Sequence, residues 1–498
     1  MRLLALPAWL LVCAVAMAQQ APLFSVSTIT GPVPGPQTVL PGHFREGDLA
    51  DVFIVAADAD GRRRGRYYEQ RVEGEFAESP SHVVDIDPEA VVVDVGRLGD
   101  RDAIVWLTTA GVIQFDPLTD TVRRLARGIS IYAAPAETGL PRIDFFRDIN
   151  GDELDDLVIP DFNGYRVHVQ RADGSFGAAA VMTAPPVMDM SFDNHPWYQP
   201  QPLFQADMDG DGRVDAVVWN EDHFRVYRLL ETGSFDNEPV SVSSNVPFEI
   251  VGTDSISARL REEDQSELTL RALYDLRDLT GDGIPELVTL TIVSSGVFKK
   301  ETTYRIHRGI PPASMDGGDV TFSEEPMSVI ASRGIQFETE GVDVDADSDI
   351  DLVISSVRIG IGKIVGALLT GSVSFDLDFY PLGANGYADG PSVSRQITAT
   401  FDLSSGDFFY PFVLITDVTG DGPADLLVQD GEDTLQVFRG TGDETLFERS
   451  PVDVKLELPN DADLVQLADL NRDGRSDVVM RIENKKAPGR VSLLVSRP

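Results

Sequence analysis

Short loops rich in acidic side chains recur in this sequence and have the composition of metal sites. One of them carries four carboxylates within nine positions, at Asp207, Asp209, Asp211 and Asp215. Carboxylates this close repel one another, so a cation among them would stabilise the loop. Ca²⁺ takes six to eight oxygen ligands, and alternate side chains of a tightly turning loop can supply them. The glycines of the loop permit the left-handed backbone that such a turn needs.

The end of this loop distinguishes it from the helical type of calcium loop. That type ends in a bidentate Glu at its twelfth position, where this sequence has Val218. The closing acid is instead Asp215, at the ninth position. The apolar run 216–219 after it is typical of a buried strand, so we expect the loop to join two strands.

The same pattern occurs in five other loops, each with an acid, amide or threonine at positions one, three and five, an acid at position nine and an apolar run after it. The predicted metal ligands of these loops are Asp148, Asn150, Asp152 and Asp156; Asp278, Thr280, Asp282 and Glu286; Asp343, Asp345, Asp347 and Asp351; Asp417, Thr419, Asp421 and Asp425; and Asp469, Asn471, Asp473 and Asp477. Solvated turns between strands also use Asp, Asn and Gly. Six copies with one spacing favour calcium, and their even distribution favours a structural role over a switch.

Two weaker copies precede these loops and end at Asp51 and Asp102. They keep the ninth acid and the strand but lose most ligands, so neither is expected to hold a metal well. Counting them, ninth-position acids recur eight times along the chain, which indicates eight units of one small sheet each.

The remaining pattern predicts an all-β fold. A second signature, an aromatic residue followed by polar residues and often proline, recurs between the loops and is expected to begin an outer strand; its aromatic residues are Phe76, Phe176, Phe235, Phe322 and Phe447. Four antiparallel strands repeated eight times predict an eight-bladed β-propeller. Seven blades are the alternative if one N-terminal unit is incorporated differently. A spare strand, 23–29, would complete the last blade and close the ring.

Residues 1–18 have the features of a secretory signal peptide: Arg2, an apolar run and a small-x-small ending at Ala18. The only cysteine, Cys13, lies inside it, so the exported chain would have no disulfide. Residues 19–498 are predicted to form a single propeller domain, secreted or periplasmic, with no transmembrane segment. The net charge of −40 disfavours nucleic acid as a partner.

The loops resemble those of FG-GAP or VCBS repeat proteins, whose propeller also forms the integrin alpha head. The resemblance covers residues 23–498 and is carried by the Asp-x-Asp-Gly-Asp-Gly-x-x-Asp pattern. It implies calcium in the loops between the first and second strands of a blade, on the face opposite the usual ligand surface. Glu153 and Ser348 replace the sixth-position glycine in two of the loops.

Two stretches are candidate ligand surfaces. The connection 188–200 gathers His195, Trp197 and Tyr198, residue types that binding surfaces favour. The alternative is that their rings pack against the next blade. The basic run Arg62, Arg63, Arg64 and Arg66 suits an anionic glycan or acidic peptide, the alternative being a solvated hairpin.

No catalytic motif is present: the sequence has no His-Glu-x-x-His, no Gly-x-Ser-x-Gly and no phosphate loop. We therefore predict a noncatalytic binding or adhesion module for protein or glycan ligands. The alternative is an extracellular hydrolase or lyase that cleaves polysaccharide on the same scaffold, with two carboxylates near the central channel.

Overall fold

The computed structural model describes residues 22–31, 36–132, 139–190, 196–252, 255–256, 259, 267–296, 300–313, 318–333, 335–357, 370–401, 408–483 and 489–497. These residues form an all-β propeller of eight blades in a ring, as the repeats predict. In this part of the chain, no helix is both long and apolar enough to cross a membrane.

Blades one to four each contain four antiparallel strands, numbered here from the innermost outward. They are β2 (Gln37–Gly42), β3 (Asp51–Ala57), β4 (Arg63–Tyr68) and β7 (His82–Asp85); β8 (Ala90–Leu98), β9 (Arg101–Thr108), β10 (Gly111–Asp116) and β11 (Thr121–Arg127); β12 (Phe146–Arg147), β13 (Asp156–Asp161), β14 (Gly164–His168) and β15 (Ala180–Thr183); and β18 (Leu203–Ala206), β19 (Asp215–Asn220), β20 (His223–Tyr227) and β21 (Val240–Ser243).

Blades five and six each have one strand more than predicted. In blade five, β22 (Ile250–Val251) pairs in parallel beside β23 (Leu268–Arg277), and in blade six, β35 (Phe408–Phe409) extends the sheet beyond β34 (Val393–Phe401). The strands of blades five to seven are β22 (Ile250–Val251), β23 (Leu268–Arg277), β24 (Glu286–Ser294), β25 (Lys300–His307) and β28 (Ser328–Arg333); β29 (Ile335–Val342), β30 (Asp351–Val357), β31 (Ser372–Tyr380), β34 (Val393–Phe401) and β35 (Phe408–Phe409); and β36 (Val413–Thr416), β37 (Asp425–Asp430), β38 (Thr434–Phe438) and β39 (Val452–Lys455).

Blade eight joins the two ends of the chain, which confirms the predicted closure. Its strands are β40 (Val465–Ala468), β41 (Asp477–Ile482), β42 (Arg490–Ser496) and, outermost, β1 (Phe24–Thr30). A 3₁₀ turn, Ala462–Leu464, precedes β40. Strand β1 pairs with β42 along its whole length, from Phe24 opposite Ser496 to Thr30 opposite Arg490. The N-terminal strand therefore gives the last blade its fourth strand.

Short two-stranded ribbons lie between the blade strands. They are β5 (Gln70–Val72) with β6 (Glu75–Phe76), β16 (Val187–Met190) with β17 (Pro196–Gln199), β26 (Gly309–Ile310) with β27 (Thr321–Phe322), and β32 (Leu382–Gly383) with β33 (Gly386–Tyr387). The prediction that the recurrent aromatic residues begin outer strands was wrong by a few residues. Phe76 and Phe322 lie in ribbons that precede the outer strand, and Phe176 likewise pairs with Gln170 before β15 begins.

The apolar residues that the structure describes form eight core clusters, and each one lies between two neighbouring blades. Successive side chains of a strand point to opposite faces of its sheet. In β41, Val478 and Met480 join the cluster shared with blade seven, whereas Val479 joins the cluster shared with blade one. Both faces of each sheet are therefore buried, which explains the continuous apolar runs after the acidic loops.

Candidate metal centres and ligand surface

The six acidic loops all lie on one face of the ring. Each loop joins the first and second main strands of its blade, in blades three to eight. Because successive strands are antiparallel, the connections between third and fourth strands share this acidic face. The hairpins between second and third strands and the connections between blades lie on the opposite face.

The first aspartate of each loop holds the turn together through backbone amides. In blade four, the amides of Gly210 and Gly212 each donate to the carboxylate of Asp207 at 2.7 Å. The bond from the sixth residue to the first aspartate is present in all six loops, at 2.7 to 3.1 Å. This side chain therefore fixes the loop conformation before any ion is considered.

The loops share one backbone shape whether or not glycine is present. The fourth and sixth residues have positive φ in every loop, with 73° at Gly210 and 83° at Gly212. Residues with a β-carbon adopt the same conformation in other loops: φ is 65° at Glu153 and 75° at Ser348. A left-handed conformation costs such residues about 1–2 kcal/mol, which the rest of the loop must offset. The two loops that lack the sixth-position glycine are thus built like the others.

The ninth acid connects the loop to the chain beyond the third strand. Asp215 accepts from the amide of Met208 at 3.1 Å and from that of Leu229 at 3.0 Å. Burial raises the pKa of Asp215 to about 7, and it does the same to the pKa of Asp156. Burying an ionised carboxylate is costly unless a positive charge compensates it. A cation in the loop would supply that charge.

In three of the loops, the side chain at the third position has a buried oxygen that makes no hydrogen bond. Among the described residues, the Oδ1 atoms of Asp209 and Asp345 and the Oγ1 atom of Thr280 are buried without a hydrogen-bond partner. An unsatisfied buried polar atom costs about 1–3 kcal/mol. In two of these loops, ligand atoms from the first, third and ninth acids lie within 4.8 Å of one another: Asp207, Asp209 and Asp215, and Asp343, Asp345 and Asp351. Oxygen ligands at this spacing fit a calcium ion.

The third residue of the other three loops interacts with the fifth. The Nδ2 atoms of Asn150 and Asn471 donate to Asp152 at 3.3 Å and to Asp473 at 3.0 Å. In blade seven, the hydroxyl of Thr419 donates to Oδ1 of Asp421, the fifth residue of that loop, at 2.9 Å. The blade-four and blade-six loops are thus the two in which three acids lie close together and the acid at the third position keeps one carboxylate oxygen without a hydrogen bond. In blade four, the other oxygen of Asp209 lies 3.1 Å from Nε of Arg228.

The two weak copies show how a blade is built without a metal loop. In blade one, the guanidinium of Arg45 donates to both carboxylate oxygens of Asp51, each at 2.6 Å. Arg45 stands at the third loop position, so a fixed cation replaces the ligand that other loops carry there. In blade two, only Gly99 and Asp100 separate the first two strands. Sequence reasoning missed the role of Arg45, although a basic residue at a ligand position was a visible signal.

The opposite face carries the predicted aromatic residues on the ribbon of β16 and β17. The Tyr198 ring meets Phe162 edge-on, with centroids 5.0 Å apart, so it packs against a hairpin of blade three. Trp197 is 41% exposed and Met188 is 58% exposed. His195 lies outside the described residues. Sequence reasoning missed Phe162, which is 48% exposed at the tip of its hairpin. Met188 lies opposite Tyr198 in the ribbon, so both share one face with Phe162, whereas Val187 and Trp197 point to the other face. We refer to Phe162, Met188 and Tyr198 as the aromatic patch.

Ion pairs engage most of the basic run in the first blade. Arg64 and Arg66 both donate to Asp58, and Arg64 also donates to Asp85 at 2.9 Å. Arg62 lies 3.8 Å from a carboxylate oxygen of Asp60. Arg63 donates to the carbonyls of Ala90 at 2.8 Å and Pro88 at 3.2 Å. These partners hold the hairpin together and neutralise most of its positive charge.

The fold and the repeated loops define the chain as an eight-bladed propeller with acidic loops on one face. Within that class, the FG-GAP-like repeat family matches residues 417–480, which include the acidic loops of blades seven and eight. The chain thus carries an FG-GAP-like repeat, as its loops indicated.

Solved structures that are similar to this chain include two with low sequence identity. The V. cholerae biofilm matrix protein Bap1 is 12% identical, with 94% of this chain and 89% of that chain covered and a TM-score of 0.24. The tricorn protease is 12% identical, with 85% of this chain and 36% of that chain covered and a TM-score of 0.25. Identities of this size say nothing about function. None of the curated proteins matches the chain.

Proposed function

We propose that this protein is an exported, calcium-stabilised propeller that binds protein or glycan ligands without catalysing a reaction on them. Residues 1–18 direct export, and the mature domain, 19–498, acts in the periplasm or outside the cell. The observation that carries the binding role is the aromatic patch on the face opposite the acidic loops. Its exposed side chains include Phe162 at 48% and Met188 at 58%, and Trp197, on the other face of the same ribbon, is 41% exposed. Exposed aromatic and methionine side chains in one place are typical of binding surfaces.

Calcium contributes rigidity in this proposal. The ions occupy the six loops of the acidic face and offset the repulsion between their carboxylates. The ninth acids already connect each loop to the chain beyond the third strand, as Asp215 does through the amide of Leu229. Bound calcium would therefore stiffen whole blades, and the loops of the opposite face would present a preorganised surface to the ligand.

The test is a pull-down of extracellular and envelope material with tagged mature protein, in calcium and again in EGTA. The double variant Trp197→Ala/Tyr198→Ala should retain at least tenfold less partner, because truncation of a central aromatic contact typically costs about 2 kcal/mol or more. Leu118→Ala is the matched control, since Leu118 is 47% exposed but lies in a turn of the acidic face. Unchanged capture by the double variant, with an unchanged melting temperature, would contradict the proposal.

The polysaccharide-cleaving alternative requires two carboxylates that flank the scissile bond. The described lining of the cavity on the opposite face includes one carboxylate, that of Asp463. This observation does not favour the enzyme. Polysaccharide that becomes shorter during the pull-down incubation would favour it.

A further inference from the structure

A cavity of about 650 Å³ lies on the opposite face, where the inner strands of the ring begin. Its walls come from four places: residues 36–39 at the start of β2, residues 139–142 between blades two and three, residues 463–466 at the start of β40, and Arg481 near the end of β41. This volume falls within the range that small-molecule sites occupy. The cavity shares no residue with the aromatic patch.

Two arginines line the cavity and are held in place by different parts of the ring. Arg142 donates through Nε to Asp94 in blade two and through Nη1 to Gln466 in blade eight, both at 3.2 Å. Arg481, at the end of β41, donates to the carbonyl of Asp463 at 3.2 Å and to that of Gln37. Arg481 also lies 3.7 Å from a carboxylate oxygen of Glu483.

These contacts leave donor capacity for a ligand. A guanidinium carries five N–H donors, and the hydrogen bonds above use two in each arginine. The side chains of Arg142 and Arg481 keep 44% and 25% of their surface exposed. Because these contacts already fix both arginine side chains, the arginines would lose little rotamer entropy when a ligand binds. Arginine is well suited to paired contacts with a carboxylate.

The surroundings restrict the ligand to a small one with little charge. The chain has a net charge of −40, so a long polyanion would be repelled wherever it extended beyond the cavity. The exposed carboxylate of Asp463 lines the cavity, and that of Glu483 lies 3.7 Å from Arg481, so both would oppose an anion. The side chains of Thr38 and Gln466 also line the cavity, where they donate to the carbonyls of Leu140 and Val39. The Thr38 oxygen can still accept a hydrogen bond from a sugar hydroxyl, and the amide nitrogen of Gln466 has a second N–H to donate to one.

We propose that this cavity binds a sugar that carries a single carboxylate, such as a uronic acid, with the carboxylate held by Arg142 and Arg481. The inference rests on the proposed binding function and deepens it by naming a ligand class at a second site. The aromatic patch serves the larger partner, and the cavity serves a single charged sugar unit. The two sites can therefore be tested separately.

The experiment is calorimetric titration of the mature protein in calcium with D-glucuronate and with D-glucose. Glucuronate should bind at least tenfold more tightly than glucose, about the contribution of one charge-assisted contact. Arg481→Gln should weaken glucuronate binding at least tenfold and leave glucose unchanged. Asp463→Asn should strengthen glucuronate binding severalfold, because it removes a repulsive charge. Equal binding of the two sugars, or no glucuronate binding up to about 50 mM, would overturn the proposal.

The variant controls separate this inference from the proposed function. Arg142→Gln removes the guanidinium beside buried Asp94, so its fold is checked by thermal unfolding before titration. Asp463→Asn needs no such check, because Asp463 is exposed and the variant is expected to bind glucuronate more tightly. A misfolded variant would not show tighter binding. Trp197→Ala/Tyr198→Ala should keep glucuronate binding. If the double variant still captures its partner and still binds glucuronate, the role of the aromatic patch is contradicted and the cavity proposal is supported. If the wild-type protein does not bind glucuronate but the double variant loses its partner, only the cavity proposal is contradicted.

Discussion

The buried carboxylate at the ninth loop position needs a positive charge beside it, and in blade one the residue that supplies this charge can be named. In blade one, Asp51 is fully buried and its compensating charge is the guanidinium of Arg45. The same carboxylate accepts from the Tyr67 hydroxyl and from the amide of Gln70 at 2.8 Å. Burial and the bond to Asp51 raise the pKa of Tyr67 well above its usual range, so the phenol stays protonated. In blade one, an internal cation thus compensates the ninth acid, whereas blades three to eight have acidic loops that fit calcium.

Replacing Arg45 by alanine should therefore destabilise the protein by about 3 kcal/mol, because it leaves a buried carboxylate without its partner. The loss should be the same in calcium and in EGTA, since no metal ligand changes. Urea unfolding of the variant in both buffers measures it. Arg62→Ala is the control, because Arg62 is 71% exposed and its ion pair contributes little. Equal effects of the two substitutions would contradict the role assigned to Arg45.

At this scale the sequence predicts the loops well and their contacts poorly. Alternate acids such as Asp207 and Asp209 form a local pattern, so their spacing is enough to place them in one loop. The pairing of Arg66 with Asp58, in contrast, depends on a hairpin that brings residues from two strands together. Formal charge along the chain therefore overstated how much positive charge the basic run presents to a ligand.

Strand β1 is the element on which closure of the ring depends. It forms the outer edge of blade eight, and its buried residue Ile29 joins the cluster that blade eight shares with blade one. The sequence predicted this closure because the last blade had only two strands after its acidic loop. The positions of the aromatic ribbons were not predictable in the same way, because two- or three-residue pairings leave almost no periodicity. The extra strands β22 and β35 have two residues each, which is too short for a hydrophobic period to predict them.

Ile29→Ala should cost about 3 kcal/mol, since it opens a cavity between the first and last blades. Val26→Ala in the same strand should cost less than about 0.5 kcal/mol, because Val26 is 52% exposed. Urea unfolding gives both values, and amide hydrogen exchange over residues 490–496 reports on the pairing of β42 with β1. Similar values for the two variants would show that β1 does not close the ring in solution.

The whole molecule combines an uninterrupted ring of apolar interfaces with a strongly acidic surface. Every core cluster is shared by two neighbouring blades, so no blade buries its sheet without the next one. The charge of −40 opposes this compact state through self-repulsion. Six calcium ions would reduce the net charge to about −28 and would do so where the carboxylates are densest. Calcium is accordingly expected to stabilise the ring as a unit.

Thermal unfolding of the mature protein in calcium and in EGTA tests this account most directly. A ligand at about 100 times its dissociation constant adds about 2.7 kcal/mol per site to the folded state, so chelation should lower the melting temperature clearly. The double variant Asp209→Asn/Asp345→Asn should show a smaller difference between the two buffers, because it changes the two loops in which three acids lie close together. The same melting temperature in calcium and in EGTA would contradict the claim that calcium stabilises this propeller.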